Sequence, residues 1–141
     1  MIKKIEKSFN KQMFMKTIGA YLGKTSSGYC EIILPVTNNI FQQHGLVHGG
    51  ILSTLADNSS AFAAFSLMEE PFQPLTIEFK INFLTQNISQ ILIAKGMVLR
   101  AGKIITHAKS EIFSVFEKKE DLIAYSTATI KSSKSIKELS I

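Results

Sequence analysis

The segment Gln42-Gln43-His44-Gly45-Leu46-Val47-His48-Gly49-Gly50, with Asp57 beyond it, gathers amide, imidazole, glycine and carboxylate groups within 16 consecutive positions. Two glycines at the start of a helix let a ligand approach the backbone closely, and first-turn amides have no acceptor inside the helix. Such a terminus suits a negative or polarised oxygen. The same glycines would also serve a plain tight turn with close packing, and the segment alone leaves both readings open. Asp57 is more informative, because it is the only ionisable side chain between Gly49 and Met68, a stretch otherwise rich in Leu, Ala and Phe. A buried carboxylate is costly unless it is hydrogen-bonded or put to use. At helical spacing its neighbours are Gly50, Ser53, Thr54, Ser60, Ala61 and Ala64. Small groups of this kind line a cleft or a close helix contact; a structural Asp bonded to a hydroxyl or amide is the other option.

Spacing adds a constraint. Gly50 and Asp57 would lie roughly 10 Å apart along one helix axis, whereas a catalytic carboxylate must sit within about 3 Å of the proton or water it handles. The Gly49 or Gly50 amides and the Asp57 of one chain therefore do not readily serve the same carbonyl. Two copies packed antiparallel about a twofold would bring the amides of one to the carboxylate of the other, in two equal sites. A homodimer thus becomes a requirement of the chemistry. His44 and His48, four apart, are a poor start for a metal site: Gly45 lies between them and no third ligand follows at a usual spacing. No metal is expected.

The elements that must position these groups can be read from periodicity. Residues 3–18 place Ile5, Phe9, Met13 and Ile18 near one side of a single amphipathic helix. Two short strands are expected over 20–35, about a Ser26-Ser27-Gly28 turn and ending at Pro35. A polar loop, 37–45, leads to a helix from Gly49 to about Met68, buried on most sides and stopped by Glu69-Glu70-Pro71. Leu75, Ile77, Phe79, Ile81 and Phe83 then alternate with Thr76, Glu78, Lys80 and Asn82, as in a strand with one buried face. Strand-like runs near 90–101, 103–116 and 121–131 complete a four-strand meander, with turns at Ala101-Gly102-Lys103 and Lys118-Lys119-Glu120-Asp121 and a polar, frayed tail over 132–141. One antiparallel sheet curled round one long buried helix satisfies this order, an α+β architecture. An edge of that sheet stays open unless another subunit pairs with it.

Composition bounds the partners. A chain of 141 residues, 45% hydrophobic and 19% charged, fits one globular domain over 1–141. The net charge of +5 is uneven: residues 1–24 carry +5, residues 131–141 carry +2 and the body carries −2. With Arg100 as its single arginine the chain is poorly equipped to read bases or phosphates bidentately, so nucleic acid is not an expected partner and the basic ends read as solvated flanks. Cys30 stands alone in an apolar stretch and reads as a buried thiol, which favours a reducing, cytoplasmic setting. The basic N-terminus never reaches the apolar run of a signal peptide. The best membrane candidate, Ile51 to Met68, is broken by Ser53, Thr54, Asp57, Asn58, Ser59 and Ser60, so no membrane partner is expected.

Gly45-Leu46-Val47-His48-Gly49-Gly50, then Leu55-Ala56-Asp57, then Thr76 to Leu84 resembles, in order and spacing over residues 20–131, the PaaI-type branch of the hotdog-fold acyl-CoA thioesterases. The resemblance implies hydrolysis of acyl-CoA to free acid and CoA by a homodimer or dimer of dimers, with no metal or redox cofactor. It implies Asp57 as general base or nucleophile, the Gly49 N–H as the group that polarises the carbonyl, His48 as its shaping neighbour, and Thr76 as a positioner of water. Gln42 falls where many members carry an Asn that also bonds the carbonyl, with Gln43 as the alternative. Gly102 and Lys103 match a segment along which CoA commonly runs, and Val47, Gly50, Gln43 and Asn82 complete the implied substrate or CoA contacts. At hairpin tips, however, Gly102-Lys103 alone reads as turn chemistry plus a solvated charge. His107 reads as an ordinary strand-face residue, and Phe62, Phe65, Met68 and Phe83 as either an acyl pocket or plain core. Two other functions remain open: a hotdog hydratase or dehydratase using His48 and Asp57, and a non-catalytic acyl-CoA sensor.

Overall fold

The computed structural model describes residues 1–85 and 89–134. Two short helices, α1 (Ile2–Phe9) and α2 (Met13–Ile18), precede the strands β1 (Tyr21–Ser26) and β2 (Tyr29–Pro35). A 3-10 turn at Asn38–Ile40 leads to α3 (Gly49–Phe65), followed by β3 (Phe72–Phe83), β4 (Ile91–Ala101), β5 (Ile105–Phe116) and β6 (Lys119–Lys134). The strands form one antiparallel sheet in the order β1-β2-β4-β5-β6-β3, and α3 packs against it.

The strand order corrects the simple meander: β4, β5 and β6 follow one another, but β3 crosses over to pair with β6 at the far edge. Its own edge, like that of β1, has no partner strand among the described residues. The single N-terminal helix is also corrected. Asn10 closes α1 by donating its N–H to the Glu6 carbonyl, and the chain restarts in a helix only after the extended Gln12. The break changes the phase of the apolar stripe, so Met15 is buried and Met13 faces solvent, while Ile5, Phe9 and Ile18 are buried as expected. Helix α3 ends one turn before Glu69-Glu70-Pro71. There the Ser66 hydroxyl donates back to the Ala63 carbonyl and accepts from the Gly28 N–H. The last turn expected at 118–121 lies earlier, where Glu117 and Lys118 both take positive φ in a two-residue hairpin turn. Ser132 and Ser133, expected in the frayed tail, pair with Pro74 and Gln73 in β6; residues 135–141 of that tail lie outside the described residues.

A row of small residues lets α3 lie low on the sheet. The register aligns Cys30, Gly96, Ser110, Ser126 and Ile81 across five strands. Gly96 is the closest approach: a Cβ built there would stand 2.1 Å from the Ser59 carbonyl oxygen. The buried hydroxyls of Ser59 and Ser110 share a hydrogen bond of 2.7 Å beside it. Cys30 is fully buried, and burial pushes its thiol up to about 11. Native protein at neutral pH is therefore expected to leave a thiol reagent almost unconsumed, with one equivalent reacting after unfolding in guanidinium; rapid native reaction would place Cys30 at the surface.

Strand β3 decides the site. Its expected buried apolar face is not found: Leu75, Ile77, Phe79 and Phe83 are 37–53% exposed. A bulge between Thr76 and Glu78 puts Leu75 and Ile77 out of phase with the later residues, placing Thr76 opposite Ile130 and Phe79 opposite Ala128, while the place of β3 at the sheet edge leaves Phe79 and Phe83 exposed. Directly opposed residues share a face, and Ile130, Ala128, Ser126 and Ala124 are all buried. Thr76, Phe79, Ile81 and Phe83 therefore face α3 together, while Leu75, opposite Lys131, faces away.

Candidate active site

His48 caps α3. Its Nδ1 accepts the Gly50 N–H at 2.8 Å, and its carbonyl accepts from Ile51 at 2.9 Å. A neutral His48 in this arrangement carries its proton on Nε2. The Gly50 amide is thereby engaged, and the Gly49 amide is the first-turn donor with no acceptor among the described residues. Of the two glycine amides, that of Gly49 is the one left unengaged among the described residues. The Phe83 ring lies against it, 3.3 Å from where a Cβ at Gly49 would stand.

The loop before the helix is held by its own backbone. Gln42 and Leu46 are bridged at 2.8 Å, Gly45 turns the chain with φ +77, and the Gln42 side-chain oxygen accepts the His44 N–H. Gln42 thus spends its carbonyl oxygen on the loop, and Gln43 is exposed beside His44 at 3.4 Å. Val47 bridges Phe41 and turns its side chain into the core, so only its backbone is left for a substrate.

Asp57 is half-buried on the small-residue face of α3, and its Oδ1 is buried with no hydrogen-bond partner. Asp57 and Thr76 line one cavity of about 400 Å³ together with Asn58, Gln12, Gln73 and Ser8. His48 and Gly50 line another, of about 330 Å³, with Phe14, Ile40, Phe41 and Ile51. Gly102 and Lys103 border a third, of about 290 Å³, near Leu67, Met68 and Phe72. Gly102 also has a structural reason, because a Cβ there would meet the Ile105 carbonyl oxygen at 2.4 Å. Asn82 is exposed on the face of β3 away from α3, opposite Tyr125. The sequence-derived residues thus fall into separate groups within one chain, with Asp57 and Thr76 together and Gly49 eight residues away along α3, about 12 Å.

Phe62, Phe65 and Met68 are core, 3, 2 and 8% exposed, and Phe62 meets Phe9 edge-on at 5.6 Å. Phe83 is half exposed, and Phe62, though nearly buried, forms part of the wall of the Asp57–Thr76 cavity. Gln12, Gln73 and Ser8 were not legible as site residues, since only the bent N-terminal helices carry two of them to Asp57. His107 is an exposed residue on β5. Among the described residues no cluster of three His, Cys, Asp or Glu side chains could hold a metal ion, and no helix is long and apolar enough to cross a membrane.

An antiparallel six-stranded sheet wrapped on one long helix is the hotdog fold. A family model described as the thioesterase superfamily matches residues 44–117. The chain is 35% identical to a thioesterase family protein from Silicibacter pomeroyi of known crystal structure, over 95% of this chain and 98% of that one, with a TM-score of 0.92. It shares its fold with a thioesterase from Haemophilus influenzae (18% identity, 99% and 94% coverage, TM-score 0.83). It also shares it with the PaaI protein of the Escherichia coli phenylacetic acid degradation operon (22% identity, 90% and 88% coverage, TM-score 0.79). The chain belongs to the thioesterase superfamily and so has a hydrolase role.

Proposed function

We propose that the protein is an acyl-CoA thioesterase in which Asp57 of one subunit acts, as general base or nucleophile, on a thioester whose carbonyl is held by the Gly49 amide of another. The observation that carries this reading is the Asp57 Oδ1 atom, buried without a protein partner in a cavity that it shares with Thr76. A desolvated carboxylate with an unused oxygen is disfavoured unless it serves a ligand or water. The reaction needs no metal or redox cofactor. As general base the carboxylate takes a proton from the attacking water and passes it to the departing sulfur. As nucleophile it adds to the carbonyl, the C–S bond breaks to leave a mixed anhydride, and water then opens the anhydride, releasing the acid while the thiolate takes a proton from solvent. In both routes the amide meets the growing oxyanion and CoA leaves as the thiol.

The dimer rests on two surfaces that one chain leaves uncovered. Helix α3 presents Gly50, Ser53, Thr54, Asp57 and Ala61 outward, and the β3 edge presents Ile77 and Phe79. Pairing the two β3 edges about a twofold would cover both and set the helices side by side. For Ile77→Lys, which puts a charge on that edge, the expected result is a monomer by light scattering whose thiol release falls at least tenfold. A monomeric wild type, or a monomeric variant at full activity, overturns the shared site.

Purified protein assayed for thiol release on acyl-CoAs from short-chain through long-chain to aryl-acetyl tests the activity and names the acyl group. Formation of a 2-enoyl product without thiol release would establish the hydratase chemistry instead, and tight binding without turnover the sensor.

A further inference from the structure

Three lysines expected in a solvated flank instead border a cavity. Lys4, Lys7 and Lys11 line, with Phe65 and Glu70, a depression of about 310 Å³ whose remaining lining residues are Ser8 and Gln73. Ser8 and Gln73 also line the Asp57–Thr76 cavity, so the two spaces adjoin through a shared wall.

The row is held in place. Lys4, which lines the depression with Lys7 and Lys11, donates from its Nζ to the Met68 carbonyl just beyond the end of α3 and lies 4.6 Å from the centre of the Phe65 ring. Ile5 and Phe9 anchor the adjoining face of α1 in the core. Lys7 and Lys11 are exposed and make no ion pair among the described residues. Lys11 follows the end of α1 yet lines the same depression as Lys4 and Lys7; like charges gathered there repel one another, and the single carboxylate at this cavity, Glu70, leaves cations in excess. A polyanion would relieve that repulsion. Lys103, by contrast, borders the third cavity, lined largely by apolar side chains.

We infer that Lys7 and Lys11 bind the phosphates of CoA, with Lys4 fixing the N-terminal segment that presents them. The inference rests on the thioesterase reading above. An acyl-CoA has its phosphates at one end of a flexible pantetheine arm and its thioester at the other. The adjoining cavities offer each end its own chemistry: cations for the phosphates, a carboxylate with an unused oxygen for the thioester.

The test uses the full chain with Lys7→Ala/Lys11→Ala, exposed positions whose loss removes no buried contact. Calorimetric titration with free CoA, which needs no turnover, is expected to show affinity five- to tenfold lower in the variant, with the difference shrinking as salt is raised. In steady-state assays KM for an acyl-CoA should rise by the same factor while kcat holds. KM for the matching acyl-pantetheine, which lacks phosphates, should move less than twofold. An acyl-dephospho-CoA separates the 3′-phosphate from the pyrophosphate. Equal CoA affinity in variant and wild type, no CoA binding by the wild type, or a loss seen only with Lys103→Ala would each overturn the inference. A wild type that binds CoA through these lysines yet hydrolyses no thioester would keep the phosphate site and overturn the enzyme.

Discussion

Asp57→Asn is expected to slow thiol release from acyl-CoA by a hundredfold or more, equivalent to at least about 2.7 kcal/mol in the barrier, while leaving a folded protein that still binds CoA. The size of the effect follows from chemistry. An amide neither takes a proton from water at neutral pH nor forms an anhydride with the acyl group, so both roles open to Asp57 are lost together. The integrity of the variant follows from structure. Asp57 Oδ1 has no hydrogen-bond partner, so the exchange breaks no bond at that atom and removes a partly buried charge. Its thermal midpoint should match or exceed that of the wild type. Unchanged turnover across several acyl-CoAs would remove Asp57 from the mechanism. In a single turnover of the wild type in 18O-labelled water, label appearing in Asp57 establishes the nucleophilic role, because a general base is never acylated and acquires none.

The second large effect concerns stability. Gly96→Ala should destabilise the fold by about 3 kcal/mol, lowering Tm by about 10 °C. The new methyl would stand 2.1 Å from the Ser59 carbonyl oxygen and 2.8 Å from the Ser60 nitrogen. These are backbone atoms of α3, unable to swing aside as a side-chain end would, so the whole helix must lift from the sheet. The Ser59–Ser110 hydrogen bond lies in the path of that movement. Lifting α3 also displaces Asp57 and Gly49, so kcat should fall with stability. Thermal unfolding followed by circular dichroism measures the shift, and an unaltered Tm would mean that helix and sheet do not approach as closely as Gly96 permits.

Much of the fold was legible because its signals are local. The period change after Met68, the lone carboxylate in an apolar helix and the glycine pair at its start depend only on near neighbours in the chain. The separation of Gly49 from Asp57 follows from helix geometry alone. What was misread depends on events that periodicity does not carry. The helix expected across residues 3–18 breaks at Asn10 to Gln12, which exchanges Met15 for Met13 in the core. The crossover that sends β3 to the far edge beside β6 is a choice among strand partners made at long range.

The sequence by itself placed a carboxylate two turns into a buried helix and a glycine pair at its start, the groups proposed above for the site. It also determined that one chain would hold them too far apart, because a rise of about 1.5 Å per residue is fixed for any α-helix. Only the tertiary structure decided which groups join them. Strict alternation sets Thr76 on the face opposite Phe79, and the bulge at Ile77 turns it toward Asp57, because one extra residue in a strand reverses the side on which every later side chain emerges. Likewise the basic charge of the N-terminus became a row of lysines beside the Asp57 cavity only once Ile5 and Phe9 were buried and Lys4 was tied to Met68, contacts between residues far apart in sequence.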